Sequence, residues 1–306
     1  MKTHAILANY RNALVFLMVI TFVGVSAASA LAATGPTAAE YGVVLNLSGK
    51  QRMLTQKMSK EIMLVALDVD KAANLNNLAA TASLFDKTLK GLRDGDTDLR
   101  LPETSNGRIR RQLDKVDKIW IDFHTVVKQI VDSGTVSPEQ IENVATQNLP
   151  LLKEMNKCVN LYEKDASGAG LKADPALAVT INLSGKQRML TQKMSKEFLL
   201  VALDHDRQTN KLNLLETYTL FERTLKGLKD GDATLDLPGT PNETIRRQLD
   251  IVDGLWKDFK QVVSYAAESA TTSVPREKID QLAAGNLPLL SEMNNAVGMY
   301  EKEAAK

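Results

Sequence analysis

Apolar residues recur along most of this chain at the three- and four-residue spacing of a helix face. At 100° per residue, the first such segment has one stripe made of Val44, Leu47, Leu54, Met58, Ile62 and Val65. This stripe predicts a helix over residues 41–74 that faces a core. A second face of the same helix carries Leu45, Gly49, Arg52, Gln56 and Met63. That face mixes apolar residues with a glycine and an arginine.

Three more helical patterns follow, and they predict helices over residues 75–93, 105–132 and 137–164. The stops between them have local causes, because Asp94-Gly95-Asp96, Ser133-Gly134 and the Ser137-Pro138 start are typical helix ends and caps. Four helices with short connections predict an up-down-up-down bundle.

The chain then repeats itself. Residues 46–67 read NLSGKQRMLTQKMSKEIMLVAL and residues 182–203 read NLSGKQRMLTQKMSKEFLLVAL, which are identical at 20 of 22 positions. The repeat continues to the end of the chain and predicts an all-α protein of two tandem four-helix bundles. We assign residues 38–166 to the first bundle, 167–174 to a linker and 175–306 to the second bundle. The linker permits a side-by-side arrangement, and an end-to-end one stays open.

Residues 1–32 have the features of a secretory signal peptide. Lys2 and Arg11 precede a 13-residue apolar run, and small residues at A-x-A spacing follow it. We therefore expect an exported, periplasmic protein. The alternative is an inner-membrane anchor over residues 13–33.

The amino-acid composition limits the kinds of functional site that the protein can contain. The 38 Lys and Arg residues balance 37 Asp and Glu residues, so no overall positive field favours nucleic acid. One cysteine and three histidines leave little material for a metal site. No nucleophile–base pair, paired carboxylates or phosphate loop is present in the sequence. We predict no catalytic residues, no metal, no cofactor and no enzyme activity.

The second face of the first helix is the candidate site. Gly49 lies one turn before Arg52, and Gly185 and Arg188 repeat the pair. A helix-interior glycine costs about 1 kcal/mol relative to alanine, which suggests close approach of a backbone or a ligand. A guanidinium offers forked donors that suit a small oxyanion. The alternative is an arginine that is solvated or salt-bridged at the surface.

The run from Asn46 to Lys57 resembles the signature of the PilJ-type sensor domain, the periplasmic module of type IV pili methyl-accepting transducers. It is also similar to the first-helix segment of the nitrate-sensing kinase NarX. Both copies match, over essentially the whole chain after residue 32. The resemblance implies a sensor that binds nitrate or nitrite between first helices at a dimer interface.

That resemblance places ligand-binding roles on Gly49, Arg52, Gly185 and Arg188. Secondary candidates are Asn46, Gln56, Asn182 and Gln192. Two arrangements stay open: a homodimer, or a pseudo-dimer within one chain. We expect no signalling output in this chain, so a membrane-bound signalling partner would supply it. The alternative function is a structural or interaction protein whose repeated helix face packs bundles together without a ligand.

Overall fold

The computed structural model describes residues 35–170 and 175–306. The predicted signal peptide and residues 171–174 of the predicted linker lie outside these ranges. The described residues form eight α-helices. They are α1 (Ala38–Ala66), α2 (Lys71–Asp94), α3 (Gly107–Ser133), α4 (Pro138–Asp165), α5 (Pro175–Ala202), α6 (Arg207–Asp230), α7 (Glu243–Ala267) and α8 (Arg276–Glu303).

The helices form two four-helix bundles, which confirms the predicted fold class. In the first bundle α1 packs against α2 and α4, and α3 closes the ring by contacting the same two helices. Helices α5–α8 repeat this arrangement. Between the second and third helices of each bundle lies an isolated β-bridge, Asp96 to Leu101 in the first and Asp232 to Leu237 in the second, and a short 3-10 helix over Ala233–Leu235 follows Asp232.

Each bundle has its own aromatic centre. The rings of Phe85 and Trp120 lie 4.3 Å apart, and those of Phe221 and Trp256 lie 4.6 Å apart at the aligned positions. All four side chains are buried. None of the described helices is both long enough and apolar enough to cross a bilayer.

The predicted boundary between the first two helices is wrong. The sequence pattern predicts one helix to Asn74, whereas α1 ends at Ala66 and α2 begins at Lys71. The chain turns because Asp68 and Asp70 adopt left-handed backbone conformations, with φ of 54° and 39°. Aspartate tolerates this region better than most residues, but it is a much weaker sequence signal than glycine or proline.

Residues 36–306 form one compact unit. The bundles lie side by side, and the most extensive contact between any two helices joins α1 to α5. This contact explains why α1 is buried on nearly all sides: both its core stripe and its second face are covered.

A layer of buried lysines crosses between the bundles. The Nζ of Lys60 donates to Oδ1 of Asn286 on α8 at 2.9 Å, and the Nζ of Lys196 donates to Oδ1 of Asn148 on α4 at 3.2 Å. Both ammonium groups are nearly inaccessible to solvent. Burial lowers the pKa of each lysine to about 8, while Glu61 and Glu197 partly offset the shift.

The two halves of this layer differ in one contact. Oδ1 of Asn286 also accepts a hydrogen bond from Nε2 of Gln192 at 3.0 Å. In the first bundle, Nε2 of Gln56 donates to Oγ1 of Thr55 instead. Among the described residues, Lys196 is therefore the one donor to Oδ1 of Asn148, whereas Asn286 has two donors.

Lys60→Met should raise the free energy of unfolding at pH 7 by about 1–2 kcal/mol, because it removes a desolvated charge and leaves Asn286 bonded to Gln192. A lysine in the unfolded chain has a pKa of about 10.4. The wild-type protein therefore regains stability as pH rises from about 8 towards 10. The advantage of the variant should shrink over this range in urea unfolding.

Lys196→Met is the matched control. It removes the same kind of charge but leaves Oδ1 of Asn148 without a donor among the described residues, at a cost of about 1–3 kcal/mol. It should gain less than Lys60→Met. Equal gains for the two variants, or a gain for Lys60→Met that does not change with pH, would show that a buried charge does not limit stability at Lys60.

Candidate functional site

Two arginines lie at the centre of the α1–α5 contact. Arg52 of α1 is 1% exposed and Arg188 of α5 is 2% exposed. These values exclude the solvated-surface alternative for both side chains. The predicted second face of α1 is thus an interface between bundles, formed within one chain.

The two glycines face each other beside the arginines. A Cβ placed on Gly49 would lie 3.4 Å from Nη2 of Arg52, 3.6 Å from Nη2 of Arg188 and 3.9 Å from Cα of Gly185. A Cβ on Gly185 has the reciprocal contacts at 3.4, 3.7 and 3.9 Å. Both guanidinium groups therefore approach one point beside the two glycines.

Arg52 is held by a residue of its own bundle and by one of the other bundle. Its Nη1 donates to Oδ1 of Asn156 on α4 at 2.9 Å, and its Nη2 donates to the main-chain oxygen of Asn182 on α5 at 3.0 Å. The guanidinium thus spans the boundary between the bundles.

Arg188 makes the reciprocal set of contacts. Its Nη1 donates to Oδ1 of Asn294 on α8 at 3.0 Å, and its Nη2 donates to the main-chain oxygen of Asn46 on α1 at 2.9 Å. The pair therefore has approximate twofold symmetry, and each arginine reaches the first helix of the other bundle.

The acceptors around the two guanidinium groups are neutral. Among the described residues, neither Arg52 nor Arg188 makes a salt bridge, and the buried Nε of each has no hydrogen-bond partner. Each guanidinium has five N–H donors, so several donors on both sides remain unused. Buried donors without acceptors are costly, and an anion is the ligand that would satisfy them.

Electrostatics agrees with this geometry. Burial lowers the pKa of Arg52 to about 10, and the charge of Glu163 opposes the shift. Burial, together with the charge of Arg52, lowers the pKa of Arg188 to about 9. Both groups remain cationic at neutral pH, so the centre of the interface carries two poorly compensated positive charges.

Two lysines add to the positive charge. Lys50 and Lys186 follow the two glycines, and the pKa of each is lowered by burial and by the arginine of the other bundle. Both lysines are partly accessible to solvent. Each lysine thus lies within electrostatic range of the arginine of the other bundle.

The secondary candidates divide into two groups. Asn46 and Asn182 contact the arginines, but through main-chain oxygens rather than their amides. Gln56 and Gln192 lie one turn further along and donate to other polar side chains, and the Oε1 atom of each is buried without a partner among the described residues. Of the two glutamines, Gln192 joins the lysine layer through Asn286, and neither donates to an arginine.

Sequence reasoning missed the residues that the fourth helix of each bundle contributes. Asn156 and Asn294 bind the arginines directly, and Glu163 and Glu301 lie nearby. A signal was present, because an asparagine followed seven residues later by a glutamate recurs in both copies. Two helical turns separate the pair, so both side chains lie on one face.

The lone cysteine has no reactive setting. Cys158 is fully buried, and burial raises its pKa to about 12, so the thiol stays protonated at neutral pH. In the part of the chain that the structure describes, no three His, Cys, Asp or Glu side chains are grouped as metal ligands.

Comparison with known proteins identifies a family and a relative. The family described as type IV pili methyl-accepting chemotaxis transducer N-terminal domain (PilJ) matches twice, over residues 38–145 and 175–282. The two segments together cover more than half of the chain. No solved structure matches the sequence.

The relative is the methyl-accepting chemotaxis protein McpN of Pseudomonas aeruginosa. It is 27% identical over 122 residues, which make up 40% of this chain and 22% of McpN. The similarity therefore spans less than a quarter of McpN.

Gly49→Ala should raise the free energy of unfolding by up to about 1 kcal/mol, because alanine favours the helix and its Cβ would make ordinary van der Waals contacts. Gly42→Ala in the same helix is the matched control. A Cβ there would lie 2.9 Å from Cβ of Ala304 and 3.2 Å from the oxygen of Glu301, so we expect a loss of about 1–3 kcal/mol. Urea unfolding of both variants measures the difference. A loss in Gly49→Ala equal to that in Gly42→Ala would show that the helices pack too closely at Gly49 to accept a Cβ.

Proposed function

The chain belongs to the PilJ family, and we propose that its two sensor modules together bind one small oxyanion, nitrate or nitrite, between α1 and α5. The observation that carries this proposal is the buried pair Arg52 and Arg188. Their guanidinium groups approach a common point, with neutral acceptors on the far side and unused donors around them.

The glycine pair favours a small ligand. The Cα of Gly185 lies only 3.9 Å from the Cβ position of Gly49, so the helices are in close contact at this level. A planar anion of three or four atoms can accept hydrogen bonds from both guanidinium groups without separating the helices widely. A bulky organic anion would have to force α1 and α5 apart.

A single chain would supply both halves of this site. Reciprocal contacts of Arg52 and Arg188 replace the contacts that two identical subunits would make across a twofold axis. Ligand binding would then be independent of protein concentration. The homodimer alternative predicts that affinity falls on dilution.

The cellular setting is part of the proposal. The signal peptide predicted over residues 1–32 and the family membership both support a periplasmic sensor. The relative McpN is a methyl-accepting chemotaxis protein, which supports a membrane-bound signalling partner for this chain. In this setting the protein would sense its ligand and not transform it.

Arg52→Gln combined with Arg188→Gln should abolish nitrate and nitrite binding or weaken it at least about tenfold, because the charged donors on both sides are lost. Calorimetric titration at fixed ionic strength measures the change. The control is Arg111→Gln combined with Arg247→Gln, an aligned pair of exposed arginines whose loss changes the net charge equally. This control should bind as the wild type does.

Gly49→Ala is a second test at the same site, since its Cβ would occupy the point that both Nη2 atoms approach. It should weaken nitrate binding while the fold stays intact. A wild-type protein that binds none of these anions would overturn the proposal. If the double arginine variant then altered the association of the bundles, the interaction-protein alternative would explain the repeated face.

A further inference from the structure

A carboxylate of α4 lies close to Arg52 without bonding to it. Oε2 of Glu163 accepts a hydrogen bond from Nδ2 of Asn182, and the main-chain oxygen of the same asparagine accepts from Arg52. Glu163 and Arg52 are thus connected through one residue of the other bundle.

The second bundle repeats the arrangement. Oε2 of Glu301 on α8 accepts from Nδ2 of Asn46, whose main-chain oxygen accepts from Arg188. Because these positions align between the two copies, the design occurs twice. The other oxygen of Glu301 lies 3.2 Å from Nη2 of the exposed Arg100. Among the described residues, Glu163 has no such arginine contact.

The two carboxylates act on the arginines through their charge. Glu163 raises the pKa of Arg52 and Glu301 raises the pKa of Arg188, in both cases against the effect of burial. Each carboxylate compensates part of a guanidinium charge while leaving the donors of that guanidinium free. A direct salt bridge would instead have used two of those donors.

We propose that Glu163 and Glu301 are built-in counter-charges that set the affinity of the arginine pair for its anion. They stabilise the two buried cations when no ligand is bound, and they repel an incoming anion. The pair therefore binds its ligand more weakly than two uncompensated arginines would. This inference rests on the proposed anion-binding function for its ligand, but the electrostatic coupling can be measured without one.

The first test is nitrate titration of the variant with Glu163→Gln and Glu301→Gln. Glutamine keeps an acceptor for each asparagine and removes the negative charge, together with the exposed ion pair between Glu301 and Arg100. We expect affinity to rise about three- to tenfold, since repulsion between the carboxylates and the anion is lost. Damage to the structure would lower the affinity and therefore cannot mimic this rise. An affinity that is unchanged, or that falls in a variant with a wild-type circular dichroism spectrum, overturns the proposal.

The matched control is Glu154→Gln with Glu292→Gln. These glutamates lie on the same two helices at aligned positions, but they accept hydrogen bonds from Gln112 and Gln248 of the third helices. Their loss changes the net charge by the same amount. Nitrate affinity of the control should match that of the wild type, and an equal rise in the control would mean that net charge alone is responsible.

The second test needs no ligand. In a buffer with a bulky anion, the Glu163→Gln and Glu301→Gln variant should melt at a lower temperature than the wild type. The same two changes should have little effect when Arg52 and Arg188 are both methionine, because no buried cation is left to compensate. An equal loss in both backgrounds overturns the counter-charge proposal. If no anion binds but the coupling is present, only the proposed function fails.

Discussion

The burial of two like charges at one helix contact is the constraint on which the rest of this structure depends. Arg52 and Arg188 are almost fully covered, and each has lost most of its hydration. Desolvation of this kind costs several kcal/mol per ion unless polar partners replace the water. The structure supplies those partners reciprocally, because each arginine is bonded to an asparagine side chain and to a main-chain oxygen of the other bundle. Neither bundle could satisfy its arginine alone.

Tandem duplication gives this arrangement within one chain. The most extensive helix contact joins the two bundles rather than two helices of one bundle, and residues 36–306 form one compact unit. The same residues would need a second molecule if only one copy were present. Joining the copies removes the association step, because the effective concentration of each half is then fixed by the connecting segment.

Much of the fold could be predicted from the sequence, because its signals are local. The repeat, the helical spacing and the Gly49–Arg52 pattern are all readable along the chain. The break after Ala66 was missed because Asp68 adopts a positive φ without a glycine to mark it. The contribution of Asn156 was missed for a different reason: residues 104 positions apart contact only after the bundle has closed. The ligand-binding role of the arginines stays a prediction.

Polar layers also fix how the two first helices align. An apolar α1–α5 contact could slide by one turn at little cost, because leucines and methionines are interchangeable in packing. In the observed register Gly49 meets Gly185, and about three turns further along α1 Lys60 reaches Asn286. A slip of one turn would bring a larger side chain against the glycine and leave buried cations without acceptors. The buried arginines and lysines between the bundles thus cost stability but select one alignment of α1 and α5. That alignment brings the two arginines together.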